Sequence, residues 1–238
     1  MKKTLIAITA ALAAACGCNR LQEGEGSISL DLRPADFVME VSKGNVGDYT
    51  TLPAAADFDI TLTNYAGAVA WSGKFSAWDP TAKFAAGEYE IKATYGDPDE
   101  EGFDKPCFEG LKEFVVIAYE SRNVSIEPTL SNCIVKVTTG EYFKKVFSSW
   151  SFNISTGLGN SFQLPENKGI FIDAFKFTLE GTFVTTAGKN VNFSKEFTGL
   201  ESGTLYTVST EVNNVEGSSF TISFNDQTET ISIEEELN

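Results

Sequence analysis

From Ser27 onward the chain alternates apolar and polar residues with a period of two. That period belongs to strands with one buried and one wetted face. Ser27-Ile28-Ser29-Leu30-Asp31-Leu32 places Ile28, Leu30 and Leu32 on one side. Phe58-Asp59-Ile60-Thr61-Leu62-Thr63 and Tyr89-Glu90-Ile91-Lys92-Ala93-Thr94-Tyr95 repeat the pattern. It continues through Val124-Ser125-Ile126, Ile134-Val135-Lys136-Val137, Phe175-Lys176-Phe177-Thr178-Leu179, Val191-Asn192-Phe193, Leu205-Tyr206-Thr207-Val208 and Thr230-Ile231-Ser232-Ile233. Gly, Asn and Pro turn residues separate these runs, which predicts an all-β protein of antiparallel β-sandwiches. Only Glu141 to Ser149 departs from the pattern. There Tyr142, Phe143, Val146 and Trp150 fall at helical spacing, predicting one short helix near 141–149.

An internal echo suggests two units. Ala86-Gly87-Glu88-Tyr89-Glu90-Ile91 resembles Ser202-Gly203-Thr204-Leu205-Tyr206-Thr207-Val208, a turn glycine before an aromatic-bearing strand in each case. Pro128 cannot donate to a ladder and suits a strand end. The expected division is therefore a sandwich over 27–128 and a second over 129–238. One large sandwich or barrel is the alternative. The 42% hydrophobic content, with 19 Phe, supplies ample core.

The N-terminus reads as an export signal. Met1-Lys2-Lys3 is a basic start, and Thr4 to Ala15 is uncharged and apolar. A bilayer span needs about 20 such residues, so this run has the length of a signal-peptide core. Leu12-Ala13-Ala14-Ala15-Cys16 then sets small residues before a cysteine, as lipid attachment requires, with Cys18 as the alternative acceptor. Residues 1–15 form the expected lipoprotein signal peptide and 16–26 the lipidated tether. Cleavage removes two of the 18 basic residues, leaving 16 against 33 acidic ones, a net charge of −17. That balance excludes nucleic acid as a partner, because phosphates would be repelled. It also leaves the acyl group as the membrane contact, since anionic headgroups are disfavoured.

The chain has no histidine, which removes the commonest general base, the commonest zinc ligand and the Ser-His-Asp and Cys-His arrangements. Neither a CxxC spacing nor a phosphate-cradling glycine loop occurs. No catalytic residue, cofactor or bound metal is expected. Cys107 and Cys133 either form a disulfide or remain as two half-buried free thiols acting as small hydrophobes, the second being the reading taken. Asp97-Pro98-Asp99-Glu100-Glu101-Gly102 opens like a calcium loop, with Asp97, Asp99 and Glu101 as candidate ligands. However, Phe108 stands where such a loop needs its bidentate Glu, so the favoured reading is a solvated acidic loop. Trp78, in Trp78-Asp79-Pro80, is the candidate platform for a sugar ring, whereas Trp71 and Trp150 read as core.

Several segments together carry a resemblance. They are Gly24-Glu25-Gly26-Ser27-Ile28-Ser29-Leu30, Gly102-Phe103-Asp104-Lys105-Pro106-Cys107-Phe108-Glu109-Gly110, Leu130-Ser131-Asn132 and Gly203-Thr204-Leu205-Tyr206-Thr207-Val208. Over nearly the whole mature length the chain resembles a family of lipoproteins from Bacteroidetes known as a domain of unknown function. More distantly it is similar to fimbrillin-type surface proteins with two transthyretin-like sandwiches. The resemblance implies an outer-membrane, surface-exposed lipoprotein with a structural or adhesive role, related to fimbriae. It assigns no functional residue. A glycan-binding accessory lipoprotein is the alternative, and the expected partners are the membrane, other surface proteins or glycans. The acidic loop 97–104 and the tip of the second unit are the expected contact surfaces.

Overall fold

The computed structural model describes residues 23–33, 45–212, 219–224 and 227–232. The signal segment, with Cys16 and Cys18, lies outside them. The described residues form two pairs of sheets. In the first, β1 (Glu25–Leu32) lies between β4 (Lys83–Ala85) and β7 (Ser121–Ile126). Facing it is a sheet of β3 (Val69–Lys74), β2 (Asp59–Asn64), β5 (Gly87–Tyr95), β6 (Phe108–Val116) and β8 (Thr129–Leu130), in that order. Residues Ile28, Leu32, Val124 and Ile126 of one sheet meet Ile60, Leu62, Tyr89 and Ile91 of the other in a common core. β8 still pairs with β6, so the strands of this sandwich run two residues past Pro128.

The second pair has β12 (Ile170–Ile172), β9 (Cys133–Thr139), β15 (Leu205–Val212), β16 (Ser219–Phe224) and β17 (Gln227–Ser232) in one sheet. The other holds β11 (Ser161–Gln163), β10 (Phe147–Thr156), β13 (Lys176–Thr185) and β14 (Asn190–Thr198). Most ladders are antiparallel, but β1 with β7 and β9 with β15 are parallel. The two sandwiches repeat one topology. The order β4-β1-β7 corresponds to β12-β9-β15, and β3-β2-β5-β6 corresponds to β11-β10-β13-β14. The sequence echo thus joined strands that are not equivalent. The strand after Gly87 corresponds to β13, whereas the one after Gly203 corresponds to β7. A glycine turn leading into an aromatic-bearing strand is a local device that any sheet can reuse.

The expected helix is present as four residues, α1 (Phe143–Val146), and Phe147 to Trp150 instead begin β10. A helix this short gains little from its own hydrogen bonds, so ladder pairing of Trp150 with Phe183 wins the following residues. The Glu211 carboxylate accepts from Phe143 N–H at 3.1 Å and Val212 N–H at 2.9 Å, holding the start of α1 against β15.

Phe143, Phe147, Phe152, Phe177, Phe183, Phe193 and Phe197 fill the second core. Gly181 makes this possible: a Cβ there would overlap the rings of Phe193 and Phe183. Gly181→Ala is expected to destabilise the protein by about 2 kcal/mol through overpacking, read as a lowered urea midpoint. A midpoint equal to the parent's would show that the rings have room to spare.

Candidate functional site

The acidic loop between β5 and β6 is the most elaborated polar region. Gly96 starts it at φ 82°, with Pro106 O so close that a side chain would collide. Asp97 Oδ1 accepts from Asp99 N–H at 3.0 Å, closing a local turn, and Glu100 pairs with Lys105. That hydrogen bond and charge raise the Lys105 pKa. Glu101 points the other way, into the second sandwich. Its carboxylate accepts from Thr156 Oγ1–H, from Asn160 Nδ2 at 2.8 Å and from Asp173 N–H at 2.9 Å. Next to it Gly102 and Phe171 exchange two backbone bonds of 2.9 and 3.0 Å. Phe103 packs against the second core, with Lys168 Nζ 4.9 Å from its ring centroid. Asn132 Nδ2 donates to Lys105 O at 2.9 Å and ties down the loop's far end.

This arrangement bears directly on the calcium-like pattern. Asp97 and Asp99 stay within their own turn while Glu101 serves the neighbouring sandwich. Among the described residues no group of three or more His, Cys, Asp or Glu is placed to hold a metal ion. The loop also differs from a free contact surface, because residues 101–103 are already engaged. Glu101→Ala would leave Thr156, Asn160 and the Asp173 N–H without their acceptor, at a cost of about 2 kcal/mol. The thermal midpoint should fall accordingly and show no response to added calcium in either protein. A calcium-dependent rise in the parent would restore the metal reading.

Cys107 and Cys133 are free, buried thiols. Cys107 Sγ donates to Asp97 O at 3.1 Å, and Cys107 O accepts from Ser131 N–H. Cys133 belongs to the second core. Burial, aided by the negative Asp97 and Glu100, pushes the Cys107 thiol from its ordinary 9.0 up to about 11. Burial, aided by Asp173 and Glu101, pushes Cys133 up to about 12. Thiolate is the reactive form, so both are inert at neutral pH. Iodoacetamide should label neither in the native protein and both after denaturation, as read by peptide mass spectrometry. The same shifts set a pH slope. Well below pH 9 both thiols are protonated in either state, and as the pH rises through 9 the unfolded chain releases its protons first. Stability should therefore decline as the pH rises from 9 toward 12.

Trp78 is half-buried. Its ring lies 5.8 Å from Phe84 in a stack and 4.8 Å from Trp71 edge-on, and Nε1–H reaches Ile28 O at 3.4 Å. The chain of rings runs on through Tyr89 to Phe114. Trp71 and Trp78 thus close the rim of the first core, and Trp150 meets Phe143 edge-on at the second. Among the described residues the most exposed aromatics lie elsewhere, Tyr65 and Tyr119 on the first sandwich, with Phe175 and Tyr142 exposed on the second. A signal for Tyr65 is present in Tyr65-Ala66-Gly67-Ala68-Val69-Ala70, six uncharged residues in an acidic chain, a segment to which the strand pattern assigns no role. Among the described residues no helix is long and apolar enough to cross a membrane.

Residues 24–238 match the protein family described as "Domain of unknown function (DUF4493)". No curated protein matches the chain in sequence. Among solved structures, a proposed polysaccharide-binding protein of Bacteroides thetaiotaomicron aligns with 13% identity and a TM-score of 0.46, covering 91% of this chain and 100% of that one. The fimbrial anchor protein Mfa2 of Porphyromonas gingivalis aligns with 9% identity and a TM-score of 0.45, covering 86% and 98%. A proposed cell adhesion protein of Bacteroides eggerthii gives 8% identity and a TM-score of 0.46, covering 88% and 96%.

Proposed function

Because the chain belongs to the family described as Domain of unknown function (DUF4493), whose description assigns no activity, we propose its role from its own residues: a non-catalytic lipoprotein, anchored to the outer membrane and exposed at the cell surface, with a structural or adhesive task related to fimbriae. The observation that carries this reading is the run from Met1 to Cys16, a basic start and apolar core ending in small residues before a cysteine. Only a few residues then separate that cysteine from β1. The acyl group holds the protein, and the two sandwiches are what it presents. With no histidine in the chain, a non-catalytic role agrees with the residue inventory. Trp71, Trp78 and Trp150 lend no support to a glycan platform, since each packs against a core.

Metabolic labelling with an alkynyl fatty acid tests the anchor. The parent and Cys18→Ala should take up label, and Cys16→Ala should lose it and accumulate as unprocessed precursor. Label lost only in Cys18→Ala would move the attachment to Cys18, and label absent from the parent would end the lipoprotein reading. Protease shaving of intact cells then decides between surface and periplasmic exposure.

A further inference from the structure

The ladders of the first sandwich bring four segments to one pole. Ala85 stands opposite Glu25, Tyr89 opposite Asn64, and Val116 opposite Gly87. Backbone bonds join them: Ala86 N–H to Gly24 O at 2.8 Å, Tyr65 N–H to Glu88 O at 3.0 Å, and Tyr119 N–H to Glu25 O at 2.8 Å. The entry to β1, the β2–β3 turn, the β4–β5 turn and the β6–β7 turn therefore lie together. The tips of these turns are uncharged: Tyr65 to Ala70, Ala85-Ala86-Gly87 and Ile117-Ala118-Tyr119. Every residue from 65 to 70 is exposed. Tyr65 is 87%, Tyr119 77%, Val69 61% and Ile117 43% exposed. Tyr119 holds φ 65°, a left-handed backbone that is uncommon for a bulky side chain, at the turn that presents its ring. Four large exposed apolar side chains at one end of so acidic a chain mark a surface meant to be covered.

The repeat of topology shows what covers the equivalent pole elsewhere. In the second sandwich that pole holds Thr156, Asn160 and Asp173, and the loop between β5 and β6 docks there. The first sandwich has no such cover among the described residues. Chain length names the occupant. Glu23 follows Cys16 by seven residues, so a lipid on Cys16 lies within about 25 Å of this pole however the segment is arranged. Cys18 would bring it closer still.

We infer that this pole rests on the bilayer, with Tyr65 and Tyr119 at headgroup level and Ala66 to Ala70 against the interface. Tyrosine suits that position because its ring prefers the apolar side and its hydroxyl the wet one. The inference relies on the lipid-anchor reading above. The rim of the pole carries Glu23, Glu25, Glu88 and Glu120 against Lys83 and Arg122, so the lipid it fits is zwitterionic rather than anionic. Acyl chain and protein pole together then fix the orientation of the molecule, which a lone flexible tether would leave free.

The test uses the full-length lipidated protein in phosphatidylcholine vesicles, with whichever of Cys16 and Cys18 carries no lipid replaced by Ala and a nitroxide on Tyr65→Cys, Ala68→Cys or Tyr119→Cys. The buried thiols stay unlabelled in the native state. Tyr142→Cys, beside α1 at the opposite end of the second sandwich, reports the aqueous reference. Relative to detergent-free soluble protein, labels at 65, 68 and 119 should show a several-fold rise in the ratio of oxygen to nickel-chelate accessibility, and the label at 142 no change. The proposal is overturned if the protein floats with the vesicles while all four labels stay equally aqueous, which would leave the anchor itself intact. Reduced access of both collision agents would mean that protein covers the pole, and this also overturns it. Failure to float at all would remove the anchor and the proposal together. Ala68→Cys, in an exposed turn, covers the case in which either tyrosine variant fails to fold.

Discussion

The docking of the loop between β5 and β6 decides how the two sandwiches stand. Apart from the Gly102–Phe171 bridge, no ladder among the described residues joins them. What holds them includes a carboxylate with three donors, two backbone bonds, one phenylalanine inserted in the far core and a hydrogen bond of 3.1 Å from Lys136 Nζ to Tyr49 Oη. A carboxylate withdrawn from water is costly unless its oxygens are satisfied. Glu101 meets that condition only when Thr156, Asn160 and the Asp173 N–H converge on it. The contact therefore specifies one arrangement rather than adding bulk adhesion. Ile134, Phe171 and Leu205 of the second half complete the seal by packing into the first core.

Given that contact, the repeated topology produces a head-to-tail tandem. The pole of the second sandwich that receives the loop is equivalent to the pole of the first that bears Tyr65 and Tyr119. The two units differ where their edges are handled. In the second, β16 and β17 extend the sheet beyond β15, whereas β7, its counterpart, is an edge among the described residues. β14 is a nine-residue edge whose exposed positions include Asn190, Asn192 and Glu196. Polar outward residues of this kind discourage further strand pairing.

The alternation in the sequence marked the inward faces well, because one-sided burial forces a period of two. Phe58, Ile60 and Leu62 are fully buried, as are Ile91, Leu179 and Val208. Phe175 shows the limit of the rule. It keeps the period with Phe177 and Leu179, but it precedes β13 in a turn, and 60% of it is exposed. Periodicity cannot tell where a strand starts. The role of Glu101 was illegible for a different reason. Its partners lie 55 to 72 residues away, and nothing local distinguishes it from Glu100, which pairs with nearby Lys105. The expectation for Trp78 followed its loop-like neighbours, Asp79 and Pro80, yet the ring folds back to stack on Phe84. Cross-sheet packing of that sort has no counterpart in linear spacing.

Charge distribution and tandem order combine into one picture of how the molecule is displayed. Repulsion between an acidic protein and an anionic surface would push most of its faces away from a membrane. A pole whose tips carry no charge escapes that penalty, and the chain enters the fold at that pole. The head-to-tail order then carries α1 to the outermost end of the second sandwich. There Lys145 lies over the exposed Tyr142 ring at 4.6 Å, and Lys144 pairs with Glu166 at 2.8 Å. Burial alone would raise the Glu166 pKa, but hydrogen bonds from Lys144 and Thr139 outweigh it and lower it. Glu166 therefore stays charged and keeps its hold on α1. The end opposite the pole that bears Tyr65 and Tyr119 is thus a pinned polar surface with one exposed aromatic, suited to meeting a partner without reshaping itself.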